Sequence, residues 1–544
     1  MTVARPVFTP PSERRSVLDR AHVGDIQGAL GTVPSHDTSP RRSLRRRVTT
    51  LLAIMGPGLV VMVADNDAGG LAVYAQAGQN YGTSLLWVLL LLAPVLFINQ
   101  EMVARLGAVT GAGHARLIVE RFGRRWGTFA VGDLLALNAL TLITDFIGVA
   151  LALDYFGVSR YVAVPVAAAL LIAVTAAGDF RRWERTMYVL IAASLVVIPL
   201  ALLSHAGGRG GGSAGLLPGV EGGLSPTSVL MIIALAGTTV APWQLFFQQS
   251  NVVDKRITPR WLAYERLDTL VGTVVLVIGA VAVMLACAWA FGGSPLHGAF
   301  TDSGAVAHDL RATVSPLGGT LFAIALLDAS LLGASAVTLA SSYAIGDYFG
   351  YKQSLHRGWR DATIFHGTCT ALIALGAIVV LIPGTPLGLI TTGVQALAGV
   401  LLPSATVFLL LLCNDRHVLG PWTNPRWLNA LAALVVGALV ALSTTLTITT
   451  IFPAADVVTV GAALLAALAL ALTAAAICTR LQPPRPRRST TAWERLTWTM
   501  PQLETLAPPT PSRLRSLALA VLRAQLLIAA ALLVIKVVHL ALQA

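Results

Sequence analysis

Twelve long apolar runs divide this chain, at roughly 51–79, 83–104, 128–153, 161–178, 186–204, 226–249, 265–291, 316–345, 363–382, 387–413, 427–450 and 457–478. A helix needs about 20 apolar residues to cross the hydrocarbon core of a bilayer. None of the runs alternates polar with apolar residues, so they read as spanning helices rather than strands. Only 12% of the 544 residues are charged, against roughly 25% in an average soluble protein. An ordinary soluble enzyme and a disordered scaffold are both excluded. The net charge of +12 does not point to nucleic acid, because the arginines sit in short stretches between apolar runs, where they face a membrane surface.

The runs set the domain plan. Residues 1–47 are polar, end in Arg41, Arg42, Arg45, Arg46 and Arg47, and read as a cytoplasmic tail with no apolar core of a secretory signal. Residues 48–480 form the membrane core, and 481–513 are a Pro- and Arg-rich cytoplasmic linker. Residues 514–544 hold a last apolar stretch with Arg523, Lys536 and His539, which reads as a thirteenth span or an interfacial helix. Alternation of charge supports the count. Loops after even-numbered runs carry seventeen Lys and Arg residues, whereas the opposite loops carry three, Arg160, Arg209 and Arg311. The N-terminus is therefore expected on the cytoplasmic side. Cys287, Cys369, Cys413 and Cys478 have no zinc or disulfide spacing and read as small apolar packing residues. No phosphate-binding Gly-x-x-x-x-Gly-Lys loop is present, which argues against ATP coupling within the chain.

Two runs contain what an uninterrupted apolar helix does not tolerate. The first carries Gly56-Pro57-Gly58 and then Asp65-Asn66-Asp67-Ala68-Gly69-Gly70. By insertion scales each ionisable residue at mid-span costs roughly 2.5–3.5 kcal/mol, so such groups persist where they bind something or line water. The sixth carries Gly237-Thr238-Thr239-Val240-Ala241-Pro242-Trp243-Gln244, where Pro242 has no N–H to donate and clashes with the preceding turn. Interruptions five spans apart indicate two five-helix halves and an inverted-repeat transporter with its site near the midplane. Unwinding frees carbonyls that can coordinate a cation; Asp67 adds full negative charge, and Thr238 and Gln244 add neutral oxygens. Asp67 is also a good N-cap for the helix that follows, and Asp65, two residues away, falls on another side if the stretch is helical and reads as a structural or vestibule residue. Asn138, Thr141 and Asp145 share a face of the third run, which predicts either a polar path or interhelical hydrogen bonds. Asp328, Ser335 and Ser342, at seven-residue intervals, predict polar packing in the eighth.

These residues carry a resemblance. Gly56-Pro57-Gly58 through Asp67-Ala68-Gly69-Gly70 to Ala75-Gln76-Ala77-Gly78, the stretch from Ser84 to Gly111, the sixth-run segment, and Asn414-Asp415-Arg416 to Gly420 together resemble the NRAMP divalent-metal transporters over about residues 50–480. The resemblance implies an all-α membrane protein with the LeuT-type inverted-repeat (5+5) fold, about 12 spanning helices and no enzymatic activity. The departures matter more. The family's Asp-Pro-Gly-Asn is here Asp67-Ala68-Gly69-Gly70, which keeps the acid and loses the amide. The family's Ala-Thr-Val-Met-Pro-His is here Thr238-Thr239-Val240-Ala241-Pro242-Trp243, so the metal-binding methionine falls on Ala241 and the histidine linked to proton movement on Trp243. The helix-10 glutamine falls on Gln395, and the helix-3 acid on Asp145. The pattern is similar to the NRAMP-related magnesium transporters, which implies uptake of Mg²⁺ and Mn²⁺ with weak or no proton coupling.

The expected site is accordingly Asp67, Gly70, Thr238, Ala241, Gln244 and Gln395. Loss of a soft thioether removes the preference for Mn, Fe, Co and Cd, and a roomier all-oxygen site suits a partly hydrated Mg²⁺. The partners expected are a divalent metal ion and the lipid bilayer of a bacterial inner membrane, with no nucleic acid, no bound cofactor and a monomeric carrier. Alternatives are a proton-coupled Mn²⁺ or Fe²⁺ importer, an organic-solute symporter on the same scaffold, and a membrane scaffold or sensor that binds an ion without moving it.

Overall fold

The computed structural model describes residues 20–506 apart from 38, 208–213, 385–386, 389, 392–393, 395–402, 453 and 482–490, together with 519–520, 522–523 and 527. Gln395 and almost all of the 514–544 stretch lie outside the described residues. Among the described residues nine helices are long and apolar enough to cross a bilayer, and a pair bent by 53°, Leu44–Ile54 with Pro57–Ala64, makes ten.

The apolar runs map onto helices in order. The first becomes three pieces, α1 (Leu44–Ile54), α2 (Pro57–Ala64) and α3 (Ala68–Tyr81). Then come α4 (Leu86–Thr110), a short amphipathic α5 (His114–Phe122), α6 (Arg124–Asp154), α7 (Arg160–Ala176), and the pair α8 (Phe180–Ser194) and α9 (Val197–Gly207). The second half opens with α10 (Pro226–Thr239) and α11 (Pro242–Asp254), followed by α12 (Leu262–Phe291), α13 (Ser303–Thr313), α14 (Pro316–Phe349) and α15 (Thr363–Leu381). Helices Pro403–Cys413, Arg426–Ile451 and Val457–Leu481 complete the series. At 17 residues α7 falls short of a full span by length, and the tenth run, 387–413, is only partly described. The short α5 and α13 lie in segments where the sequence reading has only loops.

Local chemistry places the breaks. Gly56 stands at φ +148°, a conformation side chains disfavour, and Pro57 starts α2 with its fixed φ at the position where a missing N–H costs nothing. The free N–H groups around this start do not go unpaired. The Asp268 carboxylate of α12 accepts from Gly56 (3.0 Å), Gly58 (2.7 Å) and Leu59 (3.2 Å), which caps α2 from another helix and sets a negative charge at its positive end. In the sixth run Pro242 occupies the first turn of α11 rather than kinking a continuous helix, and Val240 (ψ 81°) and Ala241 (ψ 143°) are the extended link.

Residues 20–33, within the segment read as a tail, are folded. β1 (Ile26–Gly28) and β2 (Gly31–Val33) pair antiparallel, Ile26 with Val33, and pack on α1. The Ala29 N–H donates to Glu184 of α8, and Arg256, held at φ +65°, donates to the carbonyls of Ala21 (2.8 Å) and Asp25 (3.1 Å). Behind the hairpin Lys255 donates to both Glu184 and the Met55 carbonyl, with all three groups deep in protein. This knot ties the hairpin, the α1–α2 bend, α8 and α11 together on the arginine-rich side.

Candidate functional site

The two breaks meet. α2 ends at Ala64, Asp65 closes it at φ −69° and ψ −22°, Asp67 is extended, and α3 starts at Ala68 with Asp67 as its N-cap, Oδ1 accepting from the Gly70 N–H at 2.8 Å. Asp67 therefore fills the capping role read from the sequence. That role does not remove it from the centre of the molecule, where it is buried. Gly70 is the pivotal position. A β-carbon there would meet the Asp65 carbonyl oxygen at 2.9 Å, Asp67 Oδ1 at 3.5 Å and Thr238 Oγ1 at 3.5 Å. Three oxygens from both broken helices thus converge beside Gly70, so closely that a side chain there would force the Asp65 carbonyl to shift.

Of the residues singled out by sequence, Asp67, Gly70 and Thr238 come together directly. Ala241 lies in the α10–α11 link, half-buried. Trp243 is buried in the first turn of α11, its ring edge-on to Phe247 at 6.2 Å between centroids. Gln244 is fully buried, but its amide is turned to protein rather than left open. Its Nε2 donates to Asp65 Oδ1 and, at 3.4 Å, to the Thr239 carbonyl, while its Oε1 accepts from Gln100 of α4 at 2.9 Å. Tyr74 of α3 meets the Thr239 hydroxyl at 3.5 Å, a further tie between the broken segments.

Asp145 of α6 lies against the same point. Its Oδ1 faces the Ala68 N–H at 3.4 Å, and a β-carbon on Gly333 of α14 would fall 2.6 Å from Asp67 Cβ and 3.0 Å from Asp145 Oδ1. On the same face Asn138 donates across to Ser341 at 2.8 Å, while the Thr141 hydroxyl donates to the Leu137 carbonyl within α6 at 3.1 Å. On α14, Ser335 accepts from Trp183 at 3.1 Å and Ser342 meets Cys369 at 3.0 Å. Both carboxylate oxygens of Asp328 lack a hydrogen-bond partner among the described residues.

The electrostatics of the junction are one-sided. Asp65, Asp67 and Asp145 are all buried, and none of the ion pairs among the described residues includes any of them. Buried charge without a partner is costly, and a cation is the partner such a site accepts. A cavity of about 690 Å³ runs in to Ala68, the residue after Asp67, and is lined also by Ala72, Asn80, Thr144, Thr227 and Asp302. That cavity lies at the C-terminal end of α3 and the N-terminal end of α10, opposite the arginine-rich loops.

Three residues of this region escape sequence reading as a group: Gln100, Asp65 as a bonding partner of Gln244, and Asp268. Gln100 did carry a signal, as one of three polar residues, Asn99-Gln100-Glu101, in an apolar run.

Residues 58–449 match the family model described as natural resistance-associated macrophage protein-like, or Nramp. The chain belongs to the Nramp family. Divalent metal cation transporter MntH 1 of Pseudomonas aeruginosa is 28% identical over 423 residues, covering 75% of this chain and 93% of that protein. Divalent metal cation transporter MntH of Bacillus subtilis is 26% identical over 428 residues, covering 74% and 93%. Among solved structures, the Eremococcus coleocola manganese transporter superposes with a TM-score of 0.62 at 20% identity, covering 84% of this chain and 98% of that one. A nucleobase-cation-symport-1 family transporter superposes with a TM-score of 0.50 at 14% identity, covering 88% and 97%. This Nramp chain thus has the LeuT-type fold, is a multi-pass membrane protein, and belongs with transporters rather than enzymes.

Proposed function

We propose that this protein imports divalent cations by alternating access, favouring Mg²⁺ while also carrying Mn²⁺, with weak or no proton coupling. The observation that carries the reading is the convergence of Asp67 Oδ1, Thr238 Oγ1 and the Asp65 carbonyl beside Gly70, next to buried carboxylates that have no basic partner among the described residues. Import of a divalent cation agrees with the family and with the printed names of the relatives; the choice of Mg²⁺ rests on this chain's own departures. Ala241 brings no sulfur, so nothing favours soft ions. Gly70 brings no amide ligand to displace water, which Mg²⁺ gives up reluctantly.

Asp67 supplies the principal charge, Gly70 and Thr238 the backbone and hydroxyl setting, Ala241 the space, and Gln244 and Gln395 contact the ion or its water as the site closes. Entry is from the cavity on the arginine-poor side, which the charge bias assigns to the exterior. Release requires the Lys255–Glu184 knot and the hairpin to part. The membrane potential supplies a sufficient drive, since two charges crossing 100 mV gain about 4.6 kcal/mol.

The competing reading, proton-coupled Mn²⁺ import, is favoured by the manganese transporter among the structural relatives and opposed by Ala241 and Trp243. Purified protein in liposomes separates the two. Mg²⁺ and Mn²⁺ uptake are measured with internal pH recorded together, and mutual competition without acidification is expected. Mn²⁺ uptake untouched by excess Mg²⁺ and accompanied by strong acidification overturns the proposal.

A further inference from the structure

We infer that Asp65 is a second carboxylate of the cation site, held in place by the Gln100–Gln244 amide relay. This rests on the reading of the junction as the divalent-cation site. Asp65 lies in the first break, and Gln244, to which it is bonded, also reaches the Thr239 carbonyl at the second. Its carboxylate therefore stands between the two interruptions, and its own carbonyl is one of the three oxygens around Gly70. The relay fixes the polarity of the contact. Gln100 Nε2 donates to Gln244 Oε1, which leaves the Gln244 Nε2 to face Asp65 Oδ1 as donor. The other oxygen, Oδ2, has no hydrogen-bond partner among the described residues although Asp65 is only 1% exposed. Asn66, between the two acids, is pinned to the Leu276 carbonyl at 3.1 Å, so the turn that presents them is fixed from α12.

The chemistry of such a pair is directional. A neutral amide steadies a carboxylate without cancelling its charge, so Asp65 keeps its negative charge for a ligand. Two carboxylates, one on each side of the same turn, balance a doubly charged ion and leave a singly charged one short. Both act on hard cations through oxygen, directly or through a retained water. Asp65 thereby supplies charge where this chain lacks the asparagine and methionine of its relatives.

Asp65→Asn tests this, because asparagine keeps the oxygen that accepts from Gln244 and puts a neutral NH₂ in place of the free Oδ2. Thermal unfolding in detergent is measured with and without Mg²⁺, and initial uptake into liposomes is measured against Mg²⁺ concentration. Asp65→Asn is expected to melt like the parent without Mg²⁺, to lose the Mg²⁺-induced rise in Tm, and to raise KM by about tenfold or more. Asp65→Glu is expected to recover part of the loss. KM within about twofold of the parent and an intact Mg²⁺ shift in Asp65→Asn, with both lost in Asp67→Asn, overturn the inference while leaving the site standing. Retention of both by Asp67→Asn overturns the site itself. Should Asp65→Asn fail to melt cooperatively, Gln100→Leu decides. Gln100 orients the relay, so KM rising by about threefold or more at little changed kcat supports the inference, whereas a lowered Tm with KM unchanged overturns it.

Discussion

At Ala241 the proposed selectivity rests on a methyl group standing where a thioether would. The residue links α10 to α11 in extended geometry and is half-buried. Ala241→Met restores a thioether, a soft ligand, and fills volume that hydration would use. Preference is expected to shift towards Mn²⁺ and Cd²⁺ over Mg²⁺ by about tenfold, equivalent to roughly 1.4 kcal/mol. Competition among the three ions in liposome uptake is the measurement, and unchanged competition removes Ala241 from selectivity. Asp145→Asn probes coupling instead. Its carboxylate lies beside Asp67, yet without a proton path it is expected to leave Mg²⁺ flux and its pH profile within about twofold of the parent. A large loss of pH-dependent flux reinstates proton coupling. At this scale sequence reading succeeds where a residue carries its own signal. Asp67 stands out because a mid-span acid is costly whatever surrounds it. Asp65 was harder to judge, because the rule that residues two apart face different sides assumes a helix. The helix ends at Ala64 and restarts at Ala68 through an extended Asp67, so the rule does not carry across the break. Gln244 could be chosen from sequence, but not the turning of its amide towards Asp65, since that depends on Gln100 in another helix.

The two broken helices were legible because proline and glycine act within a turn of where they stand. Pro242 opens α11, and Gly56-Pro57 opens α2. What caps α2 was not legible, because the acceptor comes from more than two hundred residues away. Asp268 looks from sequence like one of two acids at the edge of an apolar run, and its meaning appears only when α12 packs along α2. Asp268→Asn replaces a carboxylate that accepts three N–H groups by an amide whose NH₂ end faces donors. Leaving buried donors unmatched costs about 1–3 kcal/mol. A lowered Tm in detergent is therefore expected, together with reduced uptake at little changed KM, since Asp268 touches α2 and not the junction. An unchanged Tm removes the cap from the account. The N-terminal hairpin was hidden for a related reason. Its strands are three residues each, too short for a periodic signal, and they exist because Glu184, Arg181 and Arg256 wait for their backbone and side-chain groups.

The molecule as a whole is asymmetric across the membrane. On the arginine-rich side the hairpin covers a buried ion pair, Lys255 with Glu184, and the α1–α2 bend. On the other side a cavity of about 690 Å³ runs in to Ala68, the residue after Asp67. On the proposed orientation, in which the arginine-rich loops are cytoplasmic, the open side faces the exterior and the carrier stands ready to receive its ion from outside. Ala234 lines the cavity from α10, while Cys287, Cys369 and Cys413 are buried, so in a Cys478→Ser background a single new thiol reports access. Ala234→Cys is expected to react with a membrane-impermeant maleimide added to intact cells. Pretreatment is expected to block later Mg²⁺ uptake, because an adduct at this place obstructs the only path to the junction that the described cavity offers. Each half of the result bears on a different claim. Reaction only after permeabilisation reverses the orientation drawn from the arginines. Reaction from outside with uptake undiminished leaves the orientation in place and removes the cavity from the ion's route.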